Sequence, residues 1–576
     1  MPQTRPAVVL SLLLIVCCAL GAQAASEYRG VNMALEMAHA AEIQYLATEW
    51  NANLIRICLY MAGEWGYFVP SSDAPTEFPE SHWERLDRFL DDCEANGARV
   101  LIDLHQWQGY GYLNGVRDTR MWATAAYKDS FVEFWRLMAQ RYADRGDVIY
   151  GYDLLNEPHA EYGGSILAHR WHTLAQRAID AIREHDTEHA IVIDCTDWGN
   201  PSGFNHLEPL DDDNIIYSFH MWLPHEFTHQ GVSNSRSNVG YPSATWNQAW
   251  LREQLAPVLA FQAEHDVPIL AGEIGATTNA GSVDRAAYFE DCLELFEEYG
   301  FDYAQWCYME WGNWSLEHAR NPYLGEGQSS YTGDTRALEV YLDFLSRNVM
   351  TAPADSGPRP RCLFDRPGEV RSWEYSVFAG DLLWKLDHAF EVRRNEAEIT
   401  QEELEGQDLL VLGSLRAHYT SAEIETIDAF VRNGGGLLHH GPEGDNELVD
   451  WLASVGLSLQ PEFVLSRPHE WDAGSYLCDT IAVHPMTQDV IAFHTNWTAH
   501  IALSDGATAL VWSPDESWMD GDGDRMNDAS EPQGPFVLVA AQELGAGRIA
   551  VFADDAFNLT ANYAITLGAA MWLIGK

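Results

Sequence analysis

The sequence predicts an α/β protein whose larger part is a (β/α)8 TIM barrel, followed by a second α/β domain. Short apolar runs alternate with amphipathic stretches eight times between residues 26 and 349. Eight βα repeats in a segment of this length are typical of such a barrel. Polar side chains stand at the ends of these runs, where barrels carry their active sites. A doubly wound open sheet is the alternative, because periodicity alone does not decide whether a sheet closes.

Each predicted strand is one of the short apolar runs. In chain order they are Arg29–Asn32, Asn53–Leu59, Arg99–Leu104, Ile149–Leu154, Ala190–Asp194, Ile215–Phe219, Ile269–Ala271 and Tyr303–Tyr308. The stretches between them include Trp83–Glu94, Tyr127–Tyr142 and Leu167–His185, whose apolar residues recur at helical spacing. The alternation therefore predicts a parallel sheet with a helix after most strands.

Residues 1–25 have the pattern of a secretory signal peptide. Arg5 precedes an apolar run from Ala7 to Leu20, and Ala22-Gln23-Ala24 supplies a small-x-small cleavage site. The run is too short for a comfortable membrane span. We therefore expect a secreted or periplasmic protein with no membrane anchor.

A composition change near residue 350 predicts a domain boundary. Residues 350–360 are rich in proline and small residues, as interdomain linkers are. Beyond them, residues 361–576 again alternate between apolar strands, such as Asp408–Gly413, and helical stretches. One predicted helix spans Ser421–Arg432, with Thr420 or Ser421 as its N-cap.

The net charge of the chain limits the classes of partner that it is expected to bind. The chain has 86 acidic and 34 basic residues, a formal charge of −52. Phosphate backbones and anionic lipids repel so acidic a surface, so nucleic-acid and membrane-surface partners are not expected. Only Lys128, Lys385 and Lys576 are lysines. An acidic, lysine-poor surface indicates a saline habitat, although a high-GC codon bias explains the lysine shortage equally well.

Two glutamates carry the chemistry that the sequence suggests. Glu157 follows the fourth predicted strand, and Glu273 follows the seventh. On a closed barrel these two acids face each other across one mouth, and glycoside hydrolysis needs such a pair of carboxyl groups. Further polar or aromatic residues stand at other strand ends: Arg56, His105, Asn156, His220 and Trp306.

The motifs around these residues resemble glycoside hydrolase family 5, the cellulase family. Leu154-Leu-Asn-Glu-Pro-His159 and Gly272-Glu-Ile-Gly275 are similar to its two glutamate signatures, and Asp103-Leu-His105 and Phe219-His-Met-Trp-Leu-Pro224 to two others. The resemblance covers about residues 27 to 345, with every motif in family order.

The resemblance implies a role for each site residue. Glu157 is expected to be the general acid/base, and Glu273 the nucleophile of a retaining double displacement. Arg56 should hold Glu273 ionised, and Asn156 should bind the sugar 2-hydroxyl. His105 and His220 should donate hydrogen bonds in the subsite that holds the cleaved sugar, with Trp306 as its aromatic platform. No cofactor is required for this catalysis.

One position departs from the family pattern. The family usually has tyrosine two residues after the sixth-strand histidine, with its hydroxyl on the nucleophile, and this chain has Trp222 there. An indole N–H donates a hydrogen bond but cannot accept one. The role of Trp222 is therefore open, and the local shape must differ.

The C-terminal segment resembles the flavodoxin-like α/β fold of glutamine amidotransferase-like domains. The strand-to-helix turn that would hold the catalytic cysteine reads His439-His-Gly-Pro442. Because it contains no cysteine, amidotransferase chemistry is not expected. An accessory, stabilising or glycan-contacting domain is the preferred interpretation.

An acidic loop in this segment is a candidate calcium site. Its carboxylates occupy positions 1, 3, 5, 9 and 12, the spacing of a calcium-binding loop: Asp520, Asp522, Asp524, Asp528 and Glu531. Arg525 replaces the usual glycine at position 6, so a regular EF-hand is not expected. The alternative is an ordinary acidic surface loop.

Together these features predict a secreted retaining glycosidase that acts on a polysaccharide or oligosaccharide, with endo-β-1,4-glucan as the preferred substrate. A β-mannanase, another β-glycanase or an exo-β-glycosidase of the same family is the alternative. A non-catalytic carbohydrate-binding protein on a degenerate barrel is the third possibility, which the retained glutamate pair argues against.

Overall fold

The computed structural model describes residues 25–60, 78–113, 116–160, 163–232, 236–308, 312–320, 329–333, 335–350, 358–365, 382–413, 419–441, 446–466, 476–490, 493–495, 498–504, 506–521, 525–527, 530–553 and 562–575. Most of the predicted signal peptide and linker lie outside these ranges. So do three of the five carboxylates of the acidic loop, Asp522, Asp524 and Asp528.

Eight parallel strands close into a barrel, as predicted. They are β1 (Arg29–Ala34), β2 (Leu54–Tyr60), β3 (Arg99–Gln106), β4 (Ile149–Asp153), β5 (Ala190–Asp194), β6 (Ile215–Met221), β7 (Ile269–Ile274) and β8 (Asp302–Gln305). The ring closes because β1 pairs with β2 on one side and with β8 on the other, where Arg29 lies opposite Tyr303. The open-sheet alternative is therefore wrong.

Helices connect most of these strands. They are α1 (Ala40–Thr48), α2 (Glu80–Asn96), α3 (Ala125–Tyr142), α4 (Gly164–Arg183), α5 (His225–Thr228), α6 (Gln248–Gln254), α7 (Ala256–His265), α8 (Ser282–Tyr299) and α9 (Arg336–Leu345). Short 3-10 helices lie at Leu35–Met37, Arg120–Trp122, Ala143–Val148, Pro201–His206 and Thr278–Ala280. Two small hairpins pair Gly111–Leu113 with Val116–Asp118 and His318–Arg320 with Ser329–Tyr331.

The barrel changes from apolar to polar along its strands, and this change positions the site. One apolar layer of the core consists of Leu54, Leu101, Val192, Ile216 and Leu270, all buried. Side chains of a strand alternate between its faces, so the residues two positions later face the same way. Those residues are Arg56, Asp103, Asp194, Ser218 and Gly272. A polar layer therefore lies above the apolar one, toward the carboxyl ends of the strands.

The C-terminal part contains an eight-stranded mixed sheet. Its strands are β9 (Arg361–Asp365), β10 (Glu391–Asn395), β11 (Leu409–Gly413), β12 (Gly436–His440), β13 (Thr480–Ile481), β14 (Thr508–Trp512), β15 (Val537–Leu544) and β16 (Gly547–Phe552). The spatial order is β10-β9-β11-β12-β16-β15-β14-β13. The first five strands in this order are parallel, and the last three are antiparallel to their neighbours.

Helices cover this sheet. They are α10 (382–389), α11 (Gln401–Leu404), α12 (Ser421–Arg432), α13 (Asn446–Ser454) and α14 (Tyr563–Leu573). Helix α12 has its predicted bounds, and Thr420 caps it with a reciprocal bond from Glu423. Short strand pairs join Leu457–Gln460 to His500–Leu503, Phe463–Leu465 to Trp518–Asp520, and Leu477–Cys478 to Phe493–His494. Apolar clusters lie against the sheet, one of them with α10 and α14 and another with α12 and α13.

Two further findings concern the described residues as a whole. The seven cysteines among them, from Cys58 to Cys478, are all buried, and none forms a disulfide. None of the helices that the structure describes combines the length and apolarity needed to cross a bilayer.

Gly30 tests the packing of the barrel. A Cβ atom at this position would lie 1.6 Å from the carbonyl oxygen of Leu54 on β2, the strand paired with β1. We expect Gly30→Ala to destabilise the protein by about 4 kcal/mol or more, because backbone would have to move. Thermal unfolding measures the effect. Gly521→Ala is the control, since a Cβ there meets nothing within 4 Å. Equal melting temperatures for both variants would contradict the prediction.

Candidate active site

Arg56 is the centre of the polar layer. Its side chain is fully buried. Its Nε donates to Asp153 Oδ2 at 2.8 Å, and Nη2 donates to Asn156 Oδ1 at 2.9 Å. Nη1 donates to Asn32 Oδ1 at 2.8 Å and to Glu273 Oε1 at 3.1 Å. One guanidinium therefore fixes four side chains that come from β1, from β4 with the loop after it, and from β7.

Glu273 is the second-to-last residue of strand β7, and its side chain is 4% exposed. Burial raises the pKa of this carboxyl. The charge of His220 lowers this pKa and that of Glu157 raises it. Arg56 and His105 also lower it, and the pKa of Glu273 is about 7. The Glu273 carboxyl therefore titrates near neutrality, because burial and the charge of Glu157 raise its pKa more than the surrounding cations lower it.

Glu157 lies four residues after β4, in a loop with a constrained backbone. Its φ is +47°, a left-handed value that residues with a Cβ rarely adopt. Its N–H donates to Asp194 Oδ2 at 2.9 Å, and the Tyr110 hydroxyl lies 2.7 Å from its carbonyl oxygen. The side chain is 20% exposed, so it reaches the open mouth of the barrel while its backbone is held from beneath.

His220 lies between the two glutamates. Its Nδ1 lies 2.9 Å from Glu157 Oε1 and 3.3 Å from Glu273 Oε2, and its Nε2 lies 3.2 Å from Asp194 Oδ2. Burial alone lowers the pKa of this imidazole, but Asp194 and Glu273 raise it well above its ordinary value. Carboxylate oxygens of Glu157 and Glu273 and the imidazole lie within 4.8 Å of one another. A buried imidazolium therefore holds two carboxylates close together.

The two glycines of Gly272-Glu-Ile-Gly275 have a steric purpose. A Cβ at Gly272 would lie 3.0 Å from His220 Nε2, and one at Gly275 would lie 2.7 Å from the ring of Trp222. These glycines therefore leave room for side chains on the neighbouring strand beside the nucleophile candidate.

His105 and Trp306 form the other side of the site. Asp103 Oδ2 lies 2.7 Å from His105 Nδ1 and, despite burial, raises the pKa of the imidazole. His105 Nε2 lies 3.3 Å from Asn156 Nδ2. The rings of His105 and Trp306 are nearly parallel, with centroids 5.0 Å apart. A polar edge and an aromatic ring thus adjoin the glutamate pair.

Trp222 occupies the position where the family has tyrosine, but it makes different contacts. Within the described residues, no hydrogen bond joins its indole to Glu273. The ring instead packs edge-on against His229 and Trp314, with centroids 4.9 and 5.0 Å away. Trp222 therefore shapes the wall beside Gly275, and His220 makes an ion-pair contact to Glu273 in this region, with its Nδ1 3.3 Å from Oε2.

The structure brings together all the barrel residues singled out from the sequence. Sequence reasoning missed four residues that hold them: Asn32, Tyr110, Asp153 and Asp194. Asp153 and Asp194 had a signal, since each is an acid at the end of an otherwise apolar strand. No pattern in the sequence marked Tyr110, because its hydroxyl bonds the carbonyl oxygen of Glu157, which is far away in the sequence.

A parallel eight-stranded barrel with two close carboxyl groups at the ends of its fourth and seventh strands defines the chain as a glycosidase-type enzyme. The profile of the cellulase family, glycosyl hydrolase family 5, matches residues 21–313, just over half of the chain. The chain therefore belongs to this family and is a glycoside hydrolase. Enzymes of the family need no cofactor for catalysis.

The similar proteins include several endoglucanases. The chain is 27% identical to endoglucanase C of Acetivibrio thermocellus over 271 residues, which cover 42% of this chain and 77% of that protein. It is 25% identical to endoglucanase 3 of Fibrobacter succinogenes over 285 residues, 43% of this chain and 42% of that protein. A solved hyperthermophilic endo-β-1,4-glucanase is 23% identical, with a TM-score of 0.46, covering 55% of this chain and 96% of that chain.

The charges around Glu273 predict the pH dependence of the enzyme. The nucleophile role expected of Glu273 requires an ionised carboxylate, so kcat/KM should fall as the pH drops below about 7, the pKa of Glu273. The charge of Glu157 raises this pKa. Glu157→Gln removes that charge and should move the acid limb to lower pH, measured on an aryl glycoside whose leaving group needs no protonation.

The exposed Glu253 provides the control, since Glu253→Gln should leave the limb in place. An acid limb that stays fixed or moves upward in Glu157→Gln would show that the two glutamates are not electrostatically coupled.

Proposed function

We propose that the enzyme cleaves β-linked glycans with retention, with endo-β-1,4-glucan as its preferred substrate. The spacing of the two glutamates supports this proposal. Their carboxylate oxygens come within 4.8 Å of each other, and retaining glycosidases need carboxyl groups about 5 to 5.5 Å apart. Inverting enzymes need a wider gap that admits a water molecule.

In the first step, Glu273 attacks the anomeric carbon while Glu157 donates its proton to the departing glycosidic oxygen. The C–O bond to the leaving sugar breaks as the ester bond to Glu273 forms. In the second step, Glu157 removes a proton from water, and the water oxygen displaces Glu273 from the anomeric carbon. The proton that Glu157 gave is thereby recovered, and the anomeric configuration is restored.

The surrounding side chains have matching tasks in this scheme. Arg56 donates to Glu273 Oε1 at 3.1 Å and stabilises the carboxylate that attacks and later departs. Arg56 also donates to Asn156 Oδ1 at 2.9 Å, and this hydrogen bond fixes which end of the amide is the oxygen. Asn156 Nδ2, which also lies 3.3 Å from His105 Nε2, carries two N–H groups and so keeps one for the sugar 2-hydroxyl, where a hydrogen bond strengthens as charge develops.

The substrate assignment depends on the relatives, which include endoglucanase C and endoglucanase 3. A relative named beta-xylosidase is 23% identical, so another β-glycan or an exo mode of action is the alternative. A non-catalytic carbohydrate-binding protein is disfavoured, because a binding protein needs no charge-coupled pair of glutamates. Hydrolysis of a panel of defined β-glucans, mannans and xylans, with analysis of the product anomer, distinguishes these candidates.

We also propose the domain division predicted from the sequence: a barrel at residues 26–349, a linker at 350–360 and an accessory domain at 361–576. In the parallel part of the second sheet, the first strand lies between the second and third, the order 2-1-3-4-5 of flavodoxin-like folds. This order supports the flavodoxin-like and amidotransferase-like assignment. Secretion through residues 1–25 is part of the same proposal.

Removing each glutamate tests the assigned roles. Glu273→Ala should lower kcat at least about 10⁴-fold on every substrate, because no other group forms the glycosyl ester. Glu157→Ala should lose about 10²- to 10⁴-fold on glucan. On a dinitrophenyl glycoside, whose leaving group needs no acid, only Glu157→Ala should keep a fast release of the phenol in the first turnover.

Stopped-flow absorbance measures this burst, and Glu253→Ala on the surface is the control for expression and folding. A burst in Glu273→Ala, or full steady-state activity in either variant, would refute the assignment of roles.

Calcium binding by the acidic loop remains a prediction. Of its carboxylates, Asp520 and Glu531 are among the described residues, and each accepts a backbone N–H of the loop, from Arg525 at 3.4 Å and from Gly521 at 3.0 Å. If calcium binds there, EDTA should lower the melting temperature and added Ca²⁺ should restore it. Melting curves that EDTA leaves unchanged would identify the loop as an ordinary acidic surface turn.

A further inference from the structure

A buried ion-paired cluster joins the C-terminal sheet's helix α10 to the barrel. His388 of α10 is fully buried, and its Nδ1 lies 2.8 Å from Glu42 Oε2 on α1. Its Nε2 lies 3.0 Å from Glu317 Oε2, in the segment that follows β8. Both carboxylates are also fully buried. Two barrel acids thus share one imidazole from the C-terminal part of the chain.

The groups around this cluster keep the imidazole charged. Burial alone would lower the pKa of His388, but Glu317 and Glu42 raise it to about 10. The Trp384 indole of α10 donates to Glu317 Oε2 at 2.6 Å, and the Tyr45 hydroxyl lies 3.2 Å from Glu317 Oε1. His318 adjoins the cluster, and burial lowers its pKa to about 3, so it adds no second cation.

A short series of contacts connects this cluster to the active site. The Tyr308 hydroxyl lies 2.5 Å from Glu42 Oε2 and 2.9 Å from His388 Nδ1. Tyr308 is two residues after Trp306, and its N–H donates to the carbonyl oxygen of Asn32 at 2.9 Å. The Asn32 side chain in turn accepts the bond from Arg56 that orients the guanidinium toward Glu273.

The direction of this connection fits the proposed reaction. Strand β8 lies across the ring from β4, the strand that leads to Glu157. Glu157 protonates the departing sugar, so the opposite side, beneath Trp306 and Arg56, holds the sugar that stays on the enzyme. The cluster therefore supports the side of the site where the covalent intermediate forms.

We propose that His388 is a positioning residue for catalysis: it fixes Tyr308 and thereby the Trp306 ring and the Asn32–Arg56–Glu273 contacts. The C-terminal part of the chain is then a component of the catalytic unit. This inference rests on the proposed function, since it assigns a support to the nucleophile side of that reaction.

Two further contacts between the two parts of the chain serve as controls. Asp489 Oδ1 lies 3.2 Å from Arg85 Nη1 and 3.1 Å from Arg88 Nε, both on α2. The Tyr331 hydroxyl donates to Asp387 Oδ2 of α10 at 2.6 Å. Neither contact includes a residue of the Tyr308–Asn32–Arg56 route. Asp489→Asn and Tyr331→Phe weaken these contacts and change no residue of that route. Tyr331→Phe keeps the ring that lies against Trp384 and His388 and removes only the hydroxyl.

The test compares His388→Gln with Asp489→Asn, and Tyr308→Phe with Tyr331→Phe, in the full-length protein. Each variant is assayed for kcat, KM and the pH profile of kcat/KM on the best substrate of the wild type, and for its melting temperature. We expect His388→Gln to lower kcat about tenfold or more, because displaced catalytic groups lose rate. Tyr308→Phe should act in the same direction with a smaller effect.

The pH profile separates positioning from simple destabilisation. The charge of Arg56 lowers the pKa of Glu273, so a displaced Arg56 should move the acid limb to higher pH in His388→Gln and Tyr308→Phe. Asp489→Asn and Tyr331→Phe should keep kcat within about twofold and leave the limb in place, although their melting temperatures fall.

Tyr308→Phe, which removes one hydroxyl and no charge, decides the matter if His388→Gln does not fold. Equal effects in the test and control variants, or an acid limb that never moves, would overturn the inference while the proposed function stands. A wild-type protein that hydrolyses no β-glycan would overturn the proposed function and this inference with it.

Discussion

The whole site depends on one buried cation. The Arg56 guanidinium is fully buried and contacts Asp153, Asn156, Asn32 and Glu273, with Asp103 Oδ1 3.1 Å away. Carboxylates in a barrel interior are very costly unless a charged partner and hydrogen bonds compensate them. The planar, permanently charged fork of arginine meets several acceptors at once, which a lysine ammonium does not do with fixed geometry. The polar layer is therefore stable as a set, and each member depends on Arg56.

This dependence explains how charges fit into strands that otherwise consist of apolar residues. Residues two positions apart on a strand face the same way, so the inward positions form successive levels. In this barrel one level is apolar and the next is polar. His220 repeats the arrangement on the other side of the site, where one imidazolium compensates Asp194, Glu157 and Glu273. With Arg56 and His220 beside it, the buried Glu273 has a pKa of about 7. Glu157 is partly exposed. The two glutamates therefore differ in their surroundings.

The eight barrel strands, the close pair of glutamates and the capped helix α12 could all be predicted, because each leaves a local pattern in the sequence. Ring closure could not be decided from periodicity, since it depends on β1 pairing with β8 across most of the barrel sequence. The bond from the Glu157 N–H to Asp194 depends on a left-handed loop residue and on a neighbouring strand. Trp222 packs on His229 and Trp314 and does not replace the tyrosine hydroxyl, and only three-dimensional packing determines that orientation. His388 and Glu42 are 346 residues apart, and no local signal marks such a pair.

The solvent acts differently on the exposed carboxylates behind the net charge of −52 and on the buried charges of the site. Salt screens exposed charges over about 8 Å at physiological ionic strength, so it mutes the mutual repulsion of surface carboxylates. The charges that set the pKa of Glu273 are buried within a few ångströms of it and are screened far less. A neutral glycan is also little affected by the surface field, which steers charged partners. The number of surface carboxylates can therefore differ between saline and dilute surroundings, while the charges of Arg56, His220 and the two glutamates keep the same effect on one another. The interface at His388 extends this separation, because its one imidazole and two carboxylates are fully buried, away from the salt-exposed surface.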